Sequence, residues 1–557
     1  MKDTNQRLFL AIALWLAVIF GYMTFFGPKK GAQPQKPPAS AAPAAAAAPA
    51  VAVAAPSPAP GADSAATAKV QAAKLPEQRV VFETPRAHVV ATSNGAALSS
   101  IVLKGEKFTR HKGTREESQV ELAEARAGEP LPFSTVLKGK GGAELVAADA
   151  SYEVVSQDAS KAVFRLTAGD VTVTKTFTVN PATYGVELAV DVRSTTPLAG
   201  ELAVLFGGHA EEPKGGLFSS RSNVPGRTLC ETGGKSERVA VGAKTPLFES
   251  VKEVAFAGLD EQYFLTAALP PQGVAASCRL EAITVAGQKD GSLRAALIVP
   301  VSGTQASLVF AGYAGPKDTD ELSAVSRTLR QAVDFGFWSV IAELLLAVMK
   351  FFQKVVPPHN WGIAIILLTL AMKALTFPLQ HKSMKSMQEM QRIQPQLEEM
   401  KKKYAGDTQR QNLEQMKLFK EHGVNPMGSC LPMVIQMPIW FALYTTLQVS
   451  VELYNSAFIP GWINDLTAPD PIYVLPVAMG ITMVLTQVLT PTPMSNPSQK
   501  TMGYVMSGFF SLLMLTLPSG LTLYIFVNNV LSIIQQMYLR RTMRPPPAGG
   551  QTVVVPA

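Results

Sequence analysis

Lys373 stands four residues after Thr369 inside the apolar run Trp361 to Leu379, so a helix formed by that run presents both on one face. At 1.5 Å rise, about 20 such residues span a bilayer core, which places an ammonium group in hydrocarbon. At a helix centre that charge costs about 2.5 to 3.5 kcal/mol, so it is aimed at a partner, a wet cavity or the interface. The chemistry open to it is electrostatic capture of a polar or acidic group. The competing reading is that the helix ends at Pro378 and the lysine snorkels to the interface.

Other polar residues fall inside further apolar runs: Gln436 and Thr445 in Met427 to Val449, Thr482 and Gln487 in Ile472 to Leu489, Asn528 and Asn529 in Gly520 to Tyr538. Interhelical hydrogen bonds, worth about 0.6 kcal/mol each, account for neutral groups of this kind. They account poorly for the lysine, because no Asp or Glu lies within these runs. A cation without an intramembrane anion points to a hydrated cavity open to the cytoplasm and lined by Thr369, Gln436 and Gln487.

The elements that must hold these residues follow from composition. The chain has 557 residues, 47% hydrophobic and 17% charged, with the apolar residues clustered into runs that read as membrane spans. Leu8 to Phe26 is followed by Lys29 and Lys30 and reads as an uncleaved anchor, residues 1–27, rather than a signal peptide. Residues 28–77 are rich in Ala and Pro and read as a disordered tether. Residues 78–330 carry short alternating segments, among them Arg79 to Glu83, His88 to Thr92, Ala162 to Leu166, Val171 to Val179 and Gly185 to Val192. That period predicts an all-β, two-sheet sandwich. Within it Cys230 and Cys278 could pair in an oxidising compartment or remain buried thiols, and with Cys430 they are too scattered for a metal site. Gly234-Lys235-Ser236 resembles the end of a phosphate loop, but Leu229 stands where its first glycine is needed. His88, His111 and His209 are isolated and read as structural or solvated. No cofactor or metal is expected.

Residues 331–357 place Ser339, Glu343, Lys350 and Lys354 on one stripe of an apolar helix, the pattern of a helix lying in the interface plane. Residues 380–426 read as a helical hairpin with arms His381 to Tyr404, bent at Pro395, and Thr408 to His422. Its methionines Met384, Met387 and Met390 either pack the hairpin or offer a soft surface to varied apolar segments. With the anchor, spans at 358–379, 427–450, 472–490, 502–517 and 519–538 make six transmembrane helices, five of them in a C-terminal core. They are joined by loops 451–471 and 491–501 and end in a tail, 539–557. The hairpin holds nine Lys/Arg and the tail Arg540, Arg541 and Arg544, whereas Val451 to Pro471 has none and carries Glu452, Asp465 and Asp470. Hairpin and both termini are therefore expected in the cytoplasm and the β domain outside. The net charge of +8 thus reflects orientation, and no basic patch interleaved with aromatics argues for nucleic acid.

The segments NWG at Asn360 to Gly362, FPL at Phe377 to Leu379, VNPMGSCLPMVIQMPIWFALY at Val424 to Tyr444, the Asp470-Pro471 pair and PSGLTLYIFVNNVLSIIQQ at Pro518 to Gln536 resemble YidC-type membrane protein insertases of the YidC/Oxa/Alb family. The anchor, tether and β domain are similar to the Gram-negative form, whose periplasmic domain resembles sugar mutarotases. The resemblance implies an inner-membrane insertase and chaperone, not an enzyme, that needs no nucleotide and works alone or beside the Sec translocon. Nascent membrane proteins and the bilayer are its implied partners, with ribosome or targeting factors meeting the basic hairpin and tail. It implies a hydrophilic groove open to cytoplasm and lipid, holding Lys373, Thr369, Gln436, Tyr444, Gln487 and Tyr524. The family typically has arginine where Lys373 stands, so the cation is kept and the bidentate fork lost. Its aromatic pair in the last helix is Tyr524-Ile525 here. A small-solute transporter would show repeated broken helices and paired ion sites, and the sequence has neither. A sugar enzyme in the β domain would need a convergent acid and base.

Overall fold

Alternation at period two builds the extramembrane part: along Val171–Val179 every second residue is buried. The computed structural model describes residues 76–110, 117–211, 226–243, 245–251, 253–284, 290–423, 431–489 and 497–542. All of them belong to one of two compact units, Ala72–Ala557. The expected anchor, nearly all of the tether, His111, Cys430, most of the loop after residue 490 and the tail beyond residue 542 lie outside the described residues.

Two strands of 27 residues, Gly185–Glu211 and Asp290–Pro316, pair antiparallel, with a register shift between Arg193 and Leu198. Near one end of this ladder Val171–Val179 and Phe264–Leu269 add to its flanks; near the other, Ser134–Lys138 and Ser277–Thr284 do. The sandwich expectation is corrected accordingly: the two sheets are one continuous 13-stranded sheet, because the long strands carry the ladder from one half into the other. A three-stranded sheet, Arg79–Glu83, Ala87–Thr92 and Ala97–Leu103, packs Phe82, Val89 and Ile101 into the same core as Phe164, Phe177 and Phe310. Cys230 and Cys278 form a disulfide. Gly233 and Gly234, with φ of 56° and 82°, make the two-residue turn between Arg227–Thr232 and Lys235–Val239. The Gly-Lys-Ser segment is thus a hairpin turn. His88 pairs with Glu83, and His209 lies 3.9 Å from Glu129.

Two buried ionic groups in this domain behave differently. Asp260 is fully buried and accepts from Lys317 (2.9 Å), Arg238 (2.8 Å) and Arg227 (3.1 Å). Burial alone would raise its pKa, but Lys317, then Arg238 and Arg227, hold it well below the usual carboxylate range. Lys175 is equally buried and meets no carboxylate among the described residues; it donates to Gly95 O (2.8 Å) and Phe133 O (3.2 Å) beneath the Tyr152 and Phe177 rings. Burial pushes its pKa well below the ordinary lysine value.

Nine helices among the described residues complete the chain: α1 Thr319–Val325, α2 Ser339–Val355, α3 Trp361–Arg392, α4 Gln394–Lys403, α5 Thr408–Glu421, α6 Leu431–Val449, α7 Val474–Leu489, α8 Pro497–Leu513 and α9 Ser519–Thr542. By length and composition, two apolar stretches, Gly336–Val355 and Trp361–Ser386, could cross a membrane; Val474–Leu489 and Thr501–Leu513 are apolar but shorter. α9 packs on α3 and α7, α2 on α3 and α6, and α7 on α8.

The expected end of the first core helix at Pro378 is not seen, for α3 runs through it to Arg392. A proline removes one backbone bond and can kink a helix without ending it, so the hairpin's first arm begins as an extension of α3. The break falls at Ile393, and Pro395 sits in the first turn of α4, where its missing N–H forfeits nothing.

The loop between α6 and α7 is a hub. Asn360 caps α3, accepting from Gly362 N (2.8 Å) and Ile363 N (3.2 Å), while its amide donates to Ala457 O (3.1 Å) and Phe458 O (3.0 Å). Gly362 is required beside it, since a Cβ would stand 2.0 Å from Phe458 Cδ2. Asp470 accepts from Leu475 N (2.7 Å) and Trp462 Nε1 (2.8 Å), and Ser519 Oγ donates to Asp465 O (3.0 Å). Toward the β domain, Tyr454 packs on Tyr263 and Phe264, and Asn455 donates to Lys107 O and Thr109 O. Lys350 of α2 lies 2.8 Å from buried Glu452, 3.0 Å from Asp320 and 3.6 Å from Asp318. Burial opposes its charge, and these carboxylates, Glu452 first, more than offset that and raise its pKa.

Candidate functional site

The polar side chains of the helical region converge on α9. Tyr524, Asn528 and Ser532 are spaced by four and share one face, covering about 12 Å of helix axis at 1.5 Å per residue. Lys373 of α3 donates to Asn528 Oδ1 (3.3 Å) and Ser532 Oγ (2.7 Å). Gln436 of α6 donates to Tyr524 Oη. On the adjoining face Asn529 donates to Thr482 of α7 (3.5 Å). Among the described residues no carboxylate forms an ion pair with Lys373. Lys373 as a residue is partly buried.

The residues singled out from sequence are distributed as follows. Gln436 and Tyr524 are joined, and Tyr524 is nearly fully buried. Thr369 shares the Lys373 face but is 1% exposed, and its hydroxyl donates to Ile365 O (2.7 Å), so its polar group is satisfied on its own helix. Gln487 accepts from Ser507 Oγ (3.2 Å) at the α7–α8 contact, over Gly503, where a Cβ would collide with its amide. Tyr444 stacks on Trp440, with 6.3 Å between ring centroids. In the hairpin, Met390 is buried with Ile393, Leu397 and Phe419, Met384 is half-buried, and the Met387 side chain lies outside the described residues. The exposed apolar side chains there are Leu413 and Met416. Sequence reasoning named Asn528 only as a polar residue of the last span and passed over Ser532; their i, i+4 spacing in the Lys373-facing helix was the available signal.

The arrangement can hold an anion, and among the described residues no cluster of His, Cys, Asp or Glu could hold a metal ion. A β-rich domain carried on apolar helices, with a lysine that meets no carboxylate among the described residues, is the build of an integral membrane protein. The family model described as 60Kd inner membrane protein matches residues 351–546, and that described as YidC periplasmic domain matches residues 79–348. A membrane protein insertase YidC from Anaeromyxobacter sp. (strain Fw109-5) is 43% identical over 484 residues, 85% of this chain and 86% of that protein. One from Anaeromyxobacter dehalogenans (strain 2CP-1 / ATCC BAA-258) is 39% identical over 99% of this chain and 100% of its own length. An active YidC insertase crystal structure with the first transmembrane domain resolved is 19% identical, covers 84% of this chain and 94% of that chain, and gives a TM-score of 0.36. On the family models and the relatives' identities, the chain belongs to the YidC family of bacterial inner-membrane protein insertases, which are not enzymes.

Proposed function

We propose that this chain inserts and helps fold nascent membrane proteins by receiving the polar, often acidic, extracytoplasmic part of a client against Lys373. The client's apolar segment meanwhile moves along the lipid-facing flanks of α3 and its neighbours. The observation that carries this reading is a cation on an apolar helix answered only by neutral oxygens among the described residues. Leaving it so costs about 2.5 to 3.5 kcal/mol at mid-membrane, a cost that a hydrated groove open to cytoplasm and lipid reduces. The groove takes Lys373, Gln436 and Tyr524 at its α9 wall, with Thr369, Tyr444 and Gln487 supporting the surrounding helices.

The layout follows the charge asymmetry. Six spans are assigned: the anchor at 1–27 and five core helices, α3 to its proline, α6, α7, α8 and α9. α6 at 19 residues and α7 at 16 give about 28 Å and 24 Å, near the thickness of a bilayer core. α2 lies in the periplasmic interface plane, despite its apolar composition. One face packs on α3 and α6, another ties Lys350 to carboxylates, and a third exposes Val340, Leu344, Phe351 and Val355 to lipid, with Phe337 exposed in the turn just before the helix. The Cys230–Cys278 disulfide supports an oxidising, periplasmic setting for the β domain. The basic hairpin, with Met384, Met387 and Met390 on its first arm, and the tail face the cytoplasm, where ribosome or targeting factors meet them; the Sec translocon is the membrane partner.

The test is depletion of the protein in cells carrying a small acid-tailed membrane protein whose tail becomes protease-accessible on insertion. Insertion is expected to stop and to return with the wild-type gene; insertion that continues unchanged would defeat the reading.

A further inference from the structure

Lys373 meets α9 through two neutral oxygens one helical turn apart, Asn528 Oδ1 and Ser532 Oγ. The serine proton is already committed, because Ser532 Oγ donates to Asn528 O at 2.7 Å. Its lone pairs are therefore left as acceptors, and the ammonium is the donor that meets them. Spacing of i and i+4 lets the helix itself set the distance between the two oxygens. An ammonium has three N–H donors. Two are engaged among the described residues, and one remains.

Neutral acceptors orient a cation without cancelling it. A carboxylate at either position would form an ion pair in low-dielectric surroundings and remove the charge that an incoming acidic segment needs. We propose that Asn528 and Ser532 are positioning residues: they fix the Lys373 ammonium on the α9 side and leave its charge, and one N–H, for a carboxylate on the client. This deepens the groove reading and rests on it. Preference for acidic over neutral client tails is then set by the neutrality of the α9 pair as well as by the lysine.

The experiment uses the full-length protein in depleted cells and two versions of one small client, with Asp/Glu or with Asn/Gln in the extracytoplasmic tail. The readout is the ratio of acid-tailed to neutral-tailed insertion, with variant levels matched by immunoblot. Asn528→Asp is expected to lower that ratio about tenfold, the scale of one charge-assisted hydrogen bond. Ser532→Ala is expected to lower it about threefold, the scale of one neutral hydrogen bond, with Ser532→Thr restoring it. A ratio that stays at the wild-type value in Asn528→Asp, or insertion of both clients falling in proportion, would overturn the positioning role. Lys373→Gln, run in parallel, separates the two levels. If it lowers the ratio while Asn528→Asp does not, the groove reading stands and the positioning role fails. If it leaves the ratio untouched, both fail.

Discussion

Lys350 and Lys373 lie on adjacent helices, and the protein treats them in opposite ways. Lys350 sits among Glu452, Asp320 and Asp318, so its charge is spent on holding α2, the hub loop and α1 together. Among the described residues Lys373 meets an amide and a hydroxyl and no carboxylate. Lys175 shows that lacking an anion is not enough to make a site. It too is answered by neutral oxygens, but it is sealed inside the β domain, where burial drives it toward the neutral amine. Under the proposed reading, a cation that receives a client needs both conditions: no carboxylate to cancel it, and an open side by which the client can arrive.

Substitutions can break or sharpen this contrast, beginning with the groups whose charge is spent. Asp260→Asn strands Lys317, Arg238 and Arg227 around a neutral group and is expected to cost about 4 kcal/mol of unfolding free energy. The pH dependence has a definite sign. Because the folded pKa of Asp260 is depressed, its contribution is whole above the unfolded value of about 3.9 and is lost as pH falls below it, a slope that the Asn variant should lack. Chemical denaturation of the full chain in detergent between pH 6 and pH 3, roughly bracketing that value, measures it. Glu452→Ala should cost about 3 kcal/mol by leaving Lys350 without its closest partner, seen as an earlier thermal transition. Lys175→Met should cost about 2 kcal/mol for the two carbonyls left without a donor, while insertion per folded molecule stays at the wild-type level. An effect of Lys175→Met on insertion would erase the distinction between sealed and open lysines. Asn360→Ala, which removes the α3 cap, should cost about 1 kcal/mol in the same unfolding assay.

How far the sequence could be read depends on the range of the interactions involved. Strands such as Arg79–Glu83 and Val171–Val179 appear with the bounds that alternation predicts, because half-burial writes itself at period two. The lysine without an acid was equally legible, since it needs only a residue count along each run. Continuation of α3 through Pro378 was not, because local rules give a proline's cost and not the packing that outweighs it. Nor was the fusion of two sheets along the Gly185–Glu211 and Asp290–Pro316 ladder, which turns on strand length beyond the alternating stretch. The docking of Tyr454 and Asn455 onto Thr109, some 345 residues away, leaves no periodic trace at all. In the site, the choice of partner for Lys373 fell to α9 rather than to Thr369, whose hydroxyl turns back to Ile365 O. A side chain's rotamer is not written in the spacing that places it on a face.

On the proposed function, the charge at position 373 is what the client's tail meets. The most direct measurement exchanges charge on both sides, pairing wild type, Lys373→Arg and Lys373→Glu with client tails carrying either Asp/Glu or Lys/Arg. Lys373→Arg is expected to behave as wild type, Lys373→Glu to stop the acidic tail, and the basic tail to recover insertion with Lys373→Glu. Acid-tailed insertion by Lys373→Glu at the wild-type rate would contradict it.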